Sequence, residues 1–95
     1  MTRVEILDAA MKATNGDRDK KHGRPEDSFA LIGQLWEAYT GRHYSPVDVA
    51  MMMALLKIAR IKTGHGSIDS YVDLAGYAAC AGEIAERARR ICEEE

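Results

Sequence analysis

The chain has 95 residues, 46% hydrophobic and 29% charged, a composition that excludes disorder and suits one domain near the low end of what buries its own core. A net charge of −2 leaves no basic field for duplex nucleic acid or an anionic membrane surface. No apolar run reaches the ~18 residues of a membrane span, and the first residues carry acids where a signal peptide would be apolar, so a cytoplasmic protein is expected.

The first helix is expected over residues 2–14. Thr2 and Glu5 have the spacing of a capping box, and Val4, Ile6, Leu7, Ala10 and Met11 recur with helical period. Asn15-Gly16 ends it, and the charged stretch from Gly16 to Arg24 reads as a loop. Pro25 suits the first turn of a second helix, 25–40, with Glu26 and Asp27 at the positive end of its dipole and Gly41 as its stop. Phe29, Leu31, Ile32, Leu35, Trp36 and Tyr39 give that helix a broad apolar face. Ser45-Pro46-x-Asp48 opens a third helix, 46–63, with a cap, a proline in the first turn and an acid three residues after the cap. Gly64-His65-Gly66 closes it, and Ser67 caps a fourth helix, 68–92. Nothing alternates as a strand does, so the fold class is all-α, a four-helix bundle-like single domain.

Around the third helix, VDVAMMMALLKIARIK, apolar residues point in nearly every direction. The fourth carries Ala75, Gly76, Ala78, Ala79, Ala81 and Gly82, small enough for close helix approach. A monomer of this size cannot hide both, so a homo-oligomer is expected. Cys80 and Cys92 lie about 18 Å apart along one helix, beyond disulfide reach, and are expected as reduced thiols.

On the fourth helix Asp69, Asp73, Gly76, Cys80 and Glu83 share one stripe, with Tyr77 at its edge. Two carboxylates at i, i+4 repel unless a cation lies between them, and magnesium fits that role. The same acids can instead pair with Lys57 and Arg60, three apart on the preceding helix, as a structural ion-pair cluster. Both readings stay open. The loop supplies Arg18, Lys20, Lys21, His22 and Arg24 as phosphate-touching groups, without the spacing of a P-loop; its alternative is a solvated loop. Trp36 is placed as a core aromatic or as a surface for base stacking, and Met51, Met52 and Met53 as packing residues. No serine or cysteine triad can be assembled.

Two segments carry a resemblance. One is Gly16-Asp17-Arg18 with His22-Gly23-x-Pro25-x-Asp27-x-Phe29; the other runs from Ser45-Pro46-x-Asp48-Val49 through Lys57-x-x-Arg60 to Asp69-x-x-x-Asp73-x-x-Gly76-Tyr77. Between about Glu5 and Ala85 the chain resembles a family of small, uncharacterised proteins found mainly in tailed phages and prophages. More distantly, the last two helices look like the all-α nucleotide pyrophosphohydrolases, the MazG-like and dimeric dUTPase group. That family holds magnesium with an ExxE helix followed by an ExxD helix, in a helical oligomer. DSYVDLAGYAA is similar to the second of these, which implies Asp73 and Asp69 at magnesium, with Asp48 as a further carboxylate. The preceding helix departs from the pattern, offering Met51, Met52 and Met53 where the acidic pair would stand, with Lys57 and Arg60 beyond. Those cations would neutralise substrate phosphates directly.

Two functions are expected, the first from the resemblance and the second from a basic loop plus Lys57 and Arg60 without a full acidic set. In the first, a magnesium-dependent (deoxy)nucleoside triphosphate pyrophosphohydrolase, Asp73, Asp69 and Lys57 are catalytic and Asp69, Asp73 and Asp48 hold the metal. Arg18, Lys21, His22, Arg24, Trp36, Arg60 and Tyr77 would then bind the nucleotide. The alternative is a non-catalytic helical oligomer in the host cytoplasm that sequesters a nucleotide signal or binds a host protein.

Overall fold

The computed structural model describes residues 1–16, 20 and 23–94, and among them the chain is an all-helical single domain without strands. The four principal helices are α1 (Arg3–Thr14), α2 (Pro25–Thr40), α3 (Pro46–Lys62) and α4 (Ile68–Glu94).

Their ends are set by local chemistry. Thr2 Oγ1 accepts the Glu5 N–H at 3.2 Å while Glu5 Oε1 accepts the Thr2 N–H at 3.0 Å. Ser45 and Asp48 repeat the reciprocal cap at α3, both bonds at 3.0 Å. Each box satisfies two N–H groups that the first helical turn would otherwise leave unpaired. The backbone N–H groups of Thr2 and Ser45 hold the Glu5 and Asp48 carboxyls below their ordinary range. Gly41 stops α2 in the left-handed region, φ 78°, where its N–H reaches the Glu37 carbonyl at 2.7 Å. At the start of α4 the Asp69 N–H donates to Ser67 Oγ at 3.2 Å.

α4 is the spine, packed against α3 along one face and α1 along another, while α2 packs chiefly on α3. Val49 and Ala50 meet Ala81 and Ile84 in the core, and Lys57 meets Asp73. Rising numbers on α3 thus oppose falling numbers on α4, so the pair is antiparallel. Phe29 of α2 completes this core, and Val49 is fully buried. At Gly33 α2 comes so close to the lead-in to α3 that a Cβ would stand 2.6 Å from the Tyr44 carbonyl oxygen.

Much of the apolar periodicity points outward. On α1, Ala10 is buried, but Val4, Leu7 and Met11 are exposed. On α2, Phe29 and Gly33 face inward, whereas Leu31 and Leu35 are exposed and Tyr39, in the last turn, is 92% exposed. The broad α2 face expected from sequence is therefore only half covered, because α3 occupies one side of it and no described element the other. No described helix is long and apolar enough to cross a membrane.

Candidate functional site

Where α1, the start of α2 and the middle of α4 converge, a cleft of about 260 Å³ opens. Thr14, Phe29, Asp73, Gly76, Tyr77 and Cys80 are among the residues that line it. Gly76 lets α1 come close: a Cβ there would lie 3.4 Å from Thr14 Cγ2. The Phe29 and Tyr77 rings form one wall, 6.1 Å apart between centroids and tilted by 46°. A smaller recess of about 90 Å³ continues from it past Arg24, Glu26, Glu83 and Arg87. There Arg87 bridges α2 and α4, reaching Glu26 at 2.7 Å and Glu83 at 2.8 Å.

Asp73 lines the cleft and is also held from behind, with Lys57 Nζ 3.0 Å from its Oδ2. The lysine side chain is 19% exposed and the aspartate 43%. Lys57 reaches Asp73 because the antiparallel α3–α4 register sets them opposite each other. Most of the lysine stem is covered while its ammonium meets the carboxylate.

Other residues singled out from sequence are scattered. Asp69 is exposed on the first turn of α4, Arg60 is exposed on α3, and neither has a salt bridge among the described residues. Trp36 packs edge-on against Tyr44, centroids 5.7 Å apart and interplanar angle 88°, beside the core and outside the cleft lining. Arg24 grips Asp27 with two hydrogen bonds of 3.1 and 3.2 Å, which hold the Asp27 carboxyl below its ordinary range. Arg18, Lys21 and His22 lie outside the described residues.

Asp48 is about 13 Å along α3 from Lys57 at the helical rise, with its carboxylate turned back onto the Ser45 N–H. Among the described residues no three His, Cys, Asp or Glu side chains converge well enough to hold a metal ion. The donors assigned to magnesium, Asp69, Asp73 and Asp48, do not form a set in this structure.

A family model for a domain of unknown function, DUF6378, matches residues 5–85. The chain belongs to the DUF6378 family. The match takes in every described residue that lines the cleft and ends before the Arg87–Glu94 turns of α4. Relatives of this DUF6378 chain include the Gene 55 proteins of two mycobacteriophages. The protein of phage D29 is 41% identical over 81 residues, which is 85% of this chain and 54% of the relative. That of phage L5 is 42% identical over 76 residues, 79% of this chain and 49% of the relative. The chain thus spans about half the length of the curated relatives it matches. No solved structure matches it.

Of the stripe Asp69, Asp73, Gly76, Cys80 and Glu83 with Tyr77 at its edge, Asp73, Gly76, Tyr77 and Cys80 line the cleft, Glu83 lines the smaller recess, and Asp69 lines neither. Sequence reasoning missed Thr14 and Ser28 on the opposing helices, and took Phe29 for a core residue only. Nothing local marks them; only the docking of α1 and α2 onto α4 brings them there.

Proposed function

We propose that this protein binds a nucleotide in the α1–α2–α4 cleft and does not hydrolyse it. The observation that carries the reading is Asp73, which lines the cleft while Lys57 balances its charge from behind. The site is a largely apolar hollow with a few polar groups, the usual form of a small-molecule site. At about 260 Å³ it has room for a base and part of a sugar, just below the roughly 300–1,000 Å³ of drug-sized pockets. Phe29 and Tyr77 offer ring surface to a base, and the Asp73 carboxylate accepts from a base amino or ring N–H. Phosphates would then lie outside, toward Gly23 and Arg24 at the cleft mouth.

Binding without hydrolysis is favoured because Asp73 is the sole carboxylate among the described residues lining the main cleft. Two-metal phosphoryl chemistry needs several carboxylates to offset its ions. The resemblance to the pyrophosphohydrolases rests on the α4 segment around Asp69 and Asp73. In a phage-type family the role such binding would serve is withdrawal of a host nucleotide signal.

Calorimetry with mononucleotides, cyclic nucleotides and dinucleotides tests this. Binding to at least one class is expected, weakened at least roughly tenfold, about 1.4 kcal/mol, by Asp73→Asn and by Ser28→Trp, which fills the hollow from an exposed position. Silence across the panel would sink the reading. Release of pyrophosphate from a nucleoside triphosphate with magnesium, above that of Asp73→Asn, would contradict its second half.

A further inference from the structure

The outward face of α3 has no charged side chain from Val49 to Ala59 and is apolar throughout. Met51, Met52, Leu55, Leu56 and Ile58 lie on it, each 40–61% exposed, and no residue of α3 lines the main cleft. Asp48 bounds this face at one end and Arg60 and Lys62 at the other. Lys57, the one charge in between, points inward to Asp73.

The whole chain also exposes more surface than a compact molecule of its mass. It presents 6998 Å² to solvent, whereas a compact monomer of 10.5 kDa is expected to present about 5,400 Å². Its radius of gyration is 14.4 Å against about 12.4 Å expected for its length. The surplus, on the order of 1,600 Å², exceeds the roughly 800 Å² per partner that a standard interface removes. Within the exposed surface, Met51, Met52, Leu55, Leu56 and Ile58 form a continuous apolar stretch on α3, and Val4, Leu7 and Met11 on α1 and Leu31 and Leu35 on α2 are exposed as well.

We infer that α3 pairs antiparallel with α3 of a second copy about a two-fold axis near Leu55. Self-pairing is singled out by the charges at the two ends. With the axis at Leu55, Asp48 falls opposite the partner's Lys62, and the partner's Asp48 opposite Lys62. The apolar residues fall in register between these ends: Leu55 meets the partner's Leu55, Met51 meets the partner's Ala59, and Met52 meets the partner's Ile58. An isologous interface needs this self-complementarity, in which each contact occurs twice. A parallel arrangement would set like charges together at both ends. The inference is independent of the cleft, since a nucleotide could bind or not bind in either state.

Sedimentation equilibrium of the wild-type chain at micromolar concentrations should give the mass of two chains, twice 10.5 kDa. Leu55→Glu should give one, with unchanged helical circular dichroism because Leu55 is 61% exposed and outside the core. With Cys92 replaced by serine, Leu55→Cys should form an interchain disulfide under mild oxidation, and Val4→Cys, exposed on α1, should not. Lys62→Glu and Asp48→Lys should each weaken self-association roughly tenfold at low salt, and an equimolar mixture of the two should recover it. A single-chain mass for the wild type overturns the proposal, as does a two-chain mass that survives Leu55→Glu. Cross-linking through Val4→Cys rather than Leu55→Cys overturns it too.

Discussion

Lys57 has a largely covered side chain and delivers its charge to Asp73 at 3.0 Å. Removing one partner does not have the same effect as removing the other. Asp73→Ala leaves a lysine whose side chain is largely covered without its counter-charge. That should destabilise the fold by about 1–2 kcal/mol, well under the full value for a buried pair because Asp73 is 43% exposed. Lys57→Met keeps the packed stem and leaves a carboxylate that reaches water, so it should cost clearly less. Urea midpoints of the two variants measure this; equal losses would contradict the assignment. The sequence offered two cations and two acids for pairing, and only one pair forms. Ser70, 100° round the helix from Asp69, is the residue buried at that end of α4, so Asp69 is turned to solvent. That rotation depends on the docking of whole helices, which residue spacing does not encode.

Helix ends were legible because their determinants are local. Thr2 with Glu5, Ser45 with Asp48, and Gly41 act within one turn of themselves. Helix faces were only half legible. Periodicity establishes that Val4, Leu7 and Met11 lie along one side of α1, and Leu31 and Leu35 along one side of α2. It does not say what covers those sides, and within one chain nothing among the described residues does. Gly33 tests the packing that is present. Alanine normally favours a helix over glycine by ~1 kcal/mol. At Gly33, however, the new Cβ would strike the Tyr44 carbonyl oxygen, backbone that cannot swing away. Gly33→Ala should therefore destabilise by a net ~1–2 kcal/mol. Gly82→Ala, with open space around it in the same spine helix, should stabilise by about 1 kcal/mol. Thermal or urea unfolding of the pair separates the two effects, and a neutral Gly33→Ala would refute the close approach of α2 to the α3 lead-in.

For the molecule as a whole, an all-α class was readable from composition and period; of the two helices expected to carry surplus apolar surface, α3 exposes Met51, Met52, Leu55, Leu56 and Ile58, and α4 only Ile68, Tyr71 and Ile91 among its large apolar residues. The cleft was not readable. Its walls come from Thr14 on α1, Phe29 on α2 and Asp73 to Cys80 on α4, segments that meet only after α1 and α2 have settled on the spine. The same holds for Arg87, whose contact with Glu83 is a helical neighbour but whose grip on Glu26 spans 61 residues. Whether nucleotides occupy this cleft is decided by amide chemical-shift mapping with adenosine and thymidine monophosphates and their cyclic and dinucleotide forms. A bound nucleotide should shift the amides of Thr14, Gly23, Phe29, Gly76 and Cys80 together and leave Met51, Met52 and Leu55 on the outer face of α3 unmoved. Spectra that do not change with any of these probes, or changes confined to α3, would contradict binding there.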